Sequence, residues 1–127
     1  MAKIIVPSDC GNAPKKKFLK DLNVASVKGD LKFFQSILPD ELTWEIVGQS
    51  NIAGKENVLK ALTRHPLWKS KELIIDAIIT HGREASANGQ FVTKDNSRYS
   101  YCDVFRFKSA GSSAIHSIKT FIVKHKS

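Results

Sequence analysis

The chain has 127 residues, enough for one domain with a core of its own and too few for two. A hydrophobic share of 42% and a charged share of 25% exclude a disordered or fibrous chain. The formal net charge of +8 raises the question of a nucleic-acid partner.

The placement of the charge answers that question. Lys15, Lys16 and Lys17 form the only cluster, the other lysines are scattered over turns and helix faces, and no RNA-binding or helix-turn-helix signature accompanies them. The basic surface reads as solvation, and no nucleic-acid partner is expected. No apolar run approaches the ~20 residues of a membrane helix, and the opening MAKIIVP is too short for a secretory signal. The expected location is therefore cytoplasmic, with Cys10 and Cys102 reduced. Neither cysteine has metal-ligand spacing, so no metal and no cofactor are expected.

Residues 1–13 read as an extended N-terminal segment of a single domain spanning 1–127. Asn12, Ala13 and Pro14 are a helix start, because Asn caps free amides and Pro suits the first turn. Phe18, Leu22 and Ala25 follow at helical spacing up to Gly29. Asp30 caps a second helix carrying Phe33, Phe34, Ile37 and Leu38, stopped by Pro39. These two helices are expected to precede any strand. Thr43 to Gly48 alternates, with Leu42, Trp44 and Ile46 on one side and Thr43, Glu45 and Val47 on the other, as a first strand does. Gly54 to Arg64, with Val58, Leu59 and Leu62, is a third helix, and His65 falls just beyond it, before Pro66. Long strands fill the rest: Glu72 to Thr80, Glu84 to Thr93, Tyr99 to Phe107 and Ala114 to Lys124, with turns at His81–Arg83, Lys94–Ser97 and Ser109–Ser113. The order predicts an α+β fold in which helices cover one face of a curved antiparallel sheet.

The stretch YSYCDVFRF, Tyr99 to Phe107, carries the chemistry. Its odd positions set Tyr99, Tyr101, Phe105 and Phe107 on one face, with one carboxylate, Asp103, among them. A tight turn at Asp95 and Asn96 predicts Asn88 opposite Asp103, and places Ala85, Ala87, Gly89, Phe91, Cys102 and Val104 together on the reverse face. That apolar reverse face predicts a homodimer. For the last hairpin two registers stay open. One sets Asp103 against Lys119 as an ion pair. The other sets it against Ile118, with Thr120 opposite Tyr101 and Ile122 opposite Tyr99.

The KGD turn at Lys28–Asp30, the WEIVG strand, the GKENVLKAL helix and CDVFRF followed by IHSIKTFIV together resemble the nuclear transport factor 2-like (NTF2-like) superfamily, from about Pro14 to Lys124. Within it the chain is most similar to SnoaL-like proteins and ketosteroid isomerases. The resemblance implies a cone of curved sheet closed by three N-terminal helices, a cystatin-like roll, dimerising through the outer sheet face. It also prefers the Ile118 register. The isomerases' DV-x-RF strand matches Asp103-Val104-Phe105-Arg106-Phe107, which implies that Asp103 is the catalytic acid of the pocket, kept protonated by apolar surroundings. The family's tyrosine falls on Leu22 and its base on Ile46, or on Glu45 if the gap moves, so ketosteroid isomerisation itself is not expected. The implied function is binding of a small hydrophobic, polar-tipped molecule, with isomerase, cyclase or hydrolase activity or, alternatively, as a noncatalytic dimeric carrier or interaction module. The ligand-lining residues are then Trp44, Asn88, Tyr101, Phe105, Ile118, Thr120 and Ile122, with His116 a candidate at the mouth.

Overall fold

In the computed structural model, residues 2–8 and 13–126 are described. Asn12 and Cys10, to which the sequence assigns a cap and a thiol, lie outside them. Helix α1 (Pro14–Lys28) opens on proline, which needs no amide partner there. It closes at Gly29, whose φ of 70° is the left-handed conformation. The Gly29 amide returns to the Ser26 carbonyl and that of Asp30 to Ala25, the paired bonds that satisfy a helix C-terminus. The Asp30 carboxylate then accepts from the Phe33 amide at 3.2 Å and starts α2 (Leu31–Ile37), so one tight corner ends one helix and begins the next. Helix α3 (Lys55–Leu62) follows the hairpin of β2 (Thr43–Ile46) and β3 (Ser50–Ala53).

The remaining strands are β1 (Lys3–Ile5), β4 (Glu72–His81), β5 (Glu84–Val92), β6 (Arg98–Phe107) and β7 (Ile115–Lys124). They form one curved, unclosed sheet in the order β1-β4-β5-β6-β7-β2-β3. The α+β class and the helix-covered curved sheet agree with the sequence reading, with two corrections. A strand, β1, precedes the helices and pairs in parallel with β4, and β2 pairs in parallel with β7, so the sheet is mixed rather than wholly antiparallel. Strand β1 and strand β3 escape a pattern reading because each is short and partly exposed, with little alternation to detect. The core lies between the helices and the inner sheet face, where Leu19, Phe34, Leu42, Leu73, Phe91, Phe105, Phe107 and Ile115 are almost wholly buried.

Both predicted hairpin registers are corrected. The β5–β6 connection holds three residues, Lys94, Asp95 and Asn96, between Thr93 and Ser97, with Asn96 left-handed at φ 70°. This is the three-residue turn rather than the two-residue one. The one-residue slip reverses the faces of β5 relative to β6. Ala87 therefore stands opposite Asp103, and Asn88 pairs with Cys102 and is exposed on the outer face. Ala85, Ala87, Gly89 and Phe91 turn inward instead of forming an outer patch with Cys102 and Val104. In the last hairpin Asp103 stands opposite Thr120, Tyr101 opposite Ile122 and Phe105 opposite Ile118, with an irregularity between Arg106 and Phe107. Neither expected register occurs. The two-residue slide from the Ile118 register keeps Ile118, Thr120 and Ile122 on the face of Asp103, whereas Lys119 faces away, 3.9 Å from Glu45.

The bend of the sheet has a local cause. Between Ile75 and Ala77 strand β4 carries a bulge opposite β5. There the backbone comes so close to Gly89 that a Cβ would lie 1.9 Å from the Ile74 carbonyl oxygen. Only glycine fits, because the obstacle is backbone and cannot rotate aside. Gly89→Ala is expected to destabilise the protein by about 3 kcal/mol or more in urea unfolding, whereas Gly111→Ala, which meets nothing within 4 Å, should stay within about 0.5 kcal/mol. Equal midpoints for the two variants would refute this account of the bend.

Candidate functional site

Three neighbouring strands deliver the polar core of the site. Trp44 on β2 pairs beside Ile118, Thr120 on β7 pairs beside both Ile46 and Asp103, and parity sends Trp44, Asp103, Phe105, Ile118 and Thr120 to the concave face. There the Trp44 Nε1–H donates to Thr120 Oγ1 at 2.8 Å, and the Thr120 hydroxyl donates to Asp103 Oδ1 at 2.7 Å. A hydroxyl has one proton to give. Because the indole occupies an acceptor position, the proton of Thr120 is directed at the carboxylate.

Asp103 is half-buried and lines a cavity of about 50 Å³ between the strands and all three helices. Most of its wall is apolar: Leu22, Phe34, Leu38, Val58, Leu62, Leu67, Phe105 and Ile118. Such a volume holds on the order of four waters, or one molecule of about four non-hydrogen atoms. Burial pushes the Asp103 carboxyl up to about 6, with the Thr120 hydrogen bond pulling the other way.

Three further polar residues that the sequence did not single out, Asn23, Ser26 and His65, line the cavity. Asn23 lies on the inner stripe of α1 with Leu19, Leu22 and Ser26, at the spacing of one helix face. A polar residue in that stripe is the sequence signal that could have marked it. His65 follows α3, and its Nδ1 accepts from the Leu67 amide at 3.2 Å, the first amide after Pro66. The ring packs against Trp44, with centroids 5.4 Å apart, and burial lowers its pKa to about 4. No residue pattern marks this position, because a turn rather than a regular element carries it inward.

Of the sequence-predicted residues, the structure brings together Asp103, Trp44, Phe105, Ile118 and Thr120. Tyr101 is buried against Phe91 and Ile122 packs on the core, both outside the cavity wall. Asn88 is on the opposite face, and His116 is exposed away from the cavity. Leu22 lines the cavity, Ile46 is buried, and Glu45 faces outward toward Lys119. Neither of the first two can move a proton. Among the described residues no cluster of three His, Cys, Asp or Glu could hold a metal, and no helix is long and apolar enough to cross a membrane.

Comparison with solved structures places this architecture. A protein of unknown function from Burkholderia xenovorans LB400, described as NTF-2 like, superimposes with a TM-score of 0.75 at 14% identity over 89% of this chain and 85% of that one. The fold is NTF2-like. A second NTF2-like protein of unknown function, from Mesorhizobium loti, gives a TM-score of 0.70 at 9% identity over 95% of this chain and 98% of that chain. An NTF2-like neighbour with a stated activity is an LEH-like epoxide hydrolase of M. tuberculosis, with a TM-score of 0.66 and 19% identity over 83% of this chain and 79% of its own. No family model and no curated protein matches the chain. At these identities the likeness is one of NTF2-like fold, and function has to be argued from the cavity.

Asp103 and His65 make opposite contributions to stability as pH changes. Between its ordinary value and about 6, the Asp103 carboxyl holds a proton in the folded chain that the unfolded chain has released, so stability falls as pH rises through that window. His65 stays neutral when folded down to about 4 but takes a proton when unfolded below about 6.5, so its contribution is lost as pH falls. The two nearly cancel in the wild type between pH 4 and 6. In Asp103→Asn only the histidine remains, and unfolding free energy relative to wild type should decline toward acid by up to about 1.4 kcal/mol per pH unit. At pH 7 the variant should be as stable as wild type or more so. A variant that loses stability at pH 7 and recovers it in acid would instead mark Asp103 as a structurally required anion.

Proposed function

We propose that the protein binds a small, mostly apolar molecule with a polar tip in this cavity, with the tip placed against Asp103. The observation that carries the reading is the Trp44–Thr120–Asp103 chain: a carboxyl in an apolar wall, oriented by a hydroxyl whose own proton is already directed. A carboxyl poised near 6 can give or take a proton near neutral pH, which suits general acid or base work in an isomerase, cyclase or hydrolase. The activity named for the M. tuberculosis neighbour of similar fold, an LEH-like epoxide hydrolase, supports a catalytic reading. Leu22 and Ile46 stand where a phenol and a base would be needed for ketosteroid isomerisation, and a cavity of about 50 Å³ is far too small for a steroid.

Wild-type protein mixed with a 5-ene ketosteroid is accordingly expected to give no 4-ene product above background in an absorbance assay. Measurable isomerisation would overturn the assignment of Leu22 and Ile46.

The protein acts as a homodimer in this reading. Support comes from the outer sheet face, where Ile79, Val104, Phe121 and Val123 are 62%, 40%, 45% and 64% exposed, on strands β4, β6 and β7. Light scattering at micromolar concentration should give twice the chain mass, and Phe121→Lys combined with Val123→Lys should give the monomer mass. A wild-type monomer would remove the dimer from the proposal.

A further inference from the structure

Two residues of the cavity wall each carry a buried polar atom without a hydrogen-bond partner among the described residues. Asn23 has no solvent exposure, and its Nδ2 donates to the Leu19 carbonyl at 2.9 Å, which fixes the amide's orientation and leaves Oδ1 buried with no hydrogen-bond partner among the described residues. His65 uses Nδ1 to accept from the Leu67 amide, so the neutral ring carries its proton on Nε2, and that atom too is buried without a partner. Both residues line the same cavity. A buried, unmatched donor or acceptor keeps its full desolvation cost, and two of opposite kind in one apolar chamber form a recognition pattern rather than an isolated defect.

We propose, building on the pocket reading above, that Asn23 and His65 are the ligand-binding residues that set its specificity. They select a small neutral molecule that offers a hydrogen-bond donor to Asn23 Oδ1 and an acceptor to His65 Nε2–H, as a carboxamide or hydroxycarbonyl compound does. Each buried atom then gains the partner that the protein withholds. A molecule with an acceptor alone leaves Asn23 unmatched, and a hydrocarbon leaves both unmatched. A carboxylate brings a second negative charge beside Asp103 and has no donor to offer.

The test uses four isosteric probes of four non-hydrogen atoms each: acetamide, acetone, 2-methylpropene and acetate. Each is titrated at pH 7.5 into the methyl- and histidine-labelled full chain and followed by NMR. Acetamide should bind at least about tenfold more tightly than the ketone, with acetate the weakest. The amide and the ketone should move the His65 Nε2 resonance, and the hydrocarbon should leave it in place. In Asn23→Leu the preference of amide over ketone should vanish while the ketone's affinity is kept, and the folded spectrum provides the check on structure. If the probes bind but the amide has no advantage, or if the advantage survives Asn23→Leu, this assignment is overturned while the pocket reading stands. If acetate binds as well as acetamide, selection for neutral molecules is overturned. If no probe shifts the cavity methyl groups, both this assignment and the pocket reading fall.

Discussion

A sheet of long strands encloses nothing until it bends, and here the bend is made where β4 bulges against Gly89 of β5. The close approach of two backbones cannot be relieved by a side-chain rotation, so the curvature belongs to the covalent chain itself. The concave face, the fit of α1 and the chamber beneath it follow from that curvature. The residues flanking Gly89 on the inner face are small or aromatic in turn, with Ala85 and Ala87 toward one end and Phe91 at the other, which fills the concavity unevenly and leaves space near Asp103.

The chamber combines two strategies for buried polar groups. One is pairing in series, as in Trp44, Thr120 and Asp103, where the indole donates to the hydroxyl and the hydroxyl to one carboxyl oxygen. The other is partial pairing, as in Asn23 and His65, where an internal bond holds the group in place and the remaining polar atom has no partner among the described residues. In the ligand reading proposed above, a polar atom that is oriented without being paired leaves little ordering to be done on binding. The opposite displacement of the two pKa values fits the same picture. Burial disfavours charge on both side chains, which keeps the imidazole neutral and holds the carboxyl close to its own midpoint near neutral pH.

The basic surface plays no part in this chamber. Lys15 is occupied by the carbonyls of Gly82, Ser109 and Ala110, tying the start of α1 to two strand turns, and Lys17 pairs with Asp21 one helical turn away. These are local ties at the surface, where ion pairs contribute little. They explain two of the clustered lysines without any external partner.

The sequence by itself determined the α+β class, nearly every element from α1 onward, and the company Asp103 keeps on its strand, because the period-2 alternation of Tyr99 to Phe107 and the helical spacing of Phe18, Leu22 and Ala25 are local properties of the chain. Turn punctuation was equally legible at Gly29 and Asp30, where left-handed backbone and a capping carboxylate are demanded by the residues present. Registers were decided only by tertiary structure. Asn96 adopts the left-handed conformation and lengthens its turn by one residue, which sends Asn88 outside and Ala87 inside, and the irregularity after Arg106 brings Thr120 rather than Ile118 or Lys119 to Asp103. A strand's alternation states which residues share a face but not which partner stands opposite, since a slide of two residues preserves every face. His65 was beyond local reading, and Asn23 was marked only as a polar residue in an apolar helix stripe. Their meaning lies in what a helix stripe and a turn meet across the core, and that is settled by how the sheet bends.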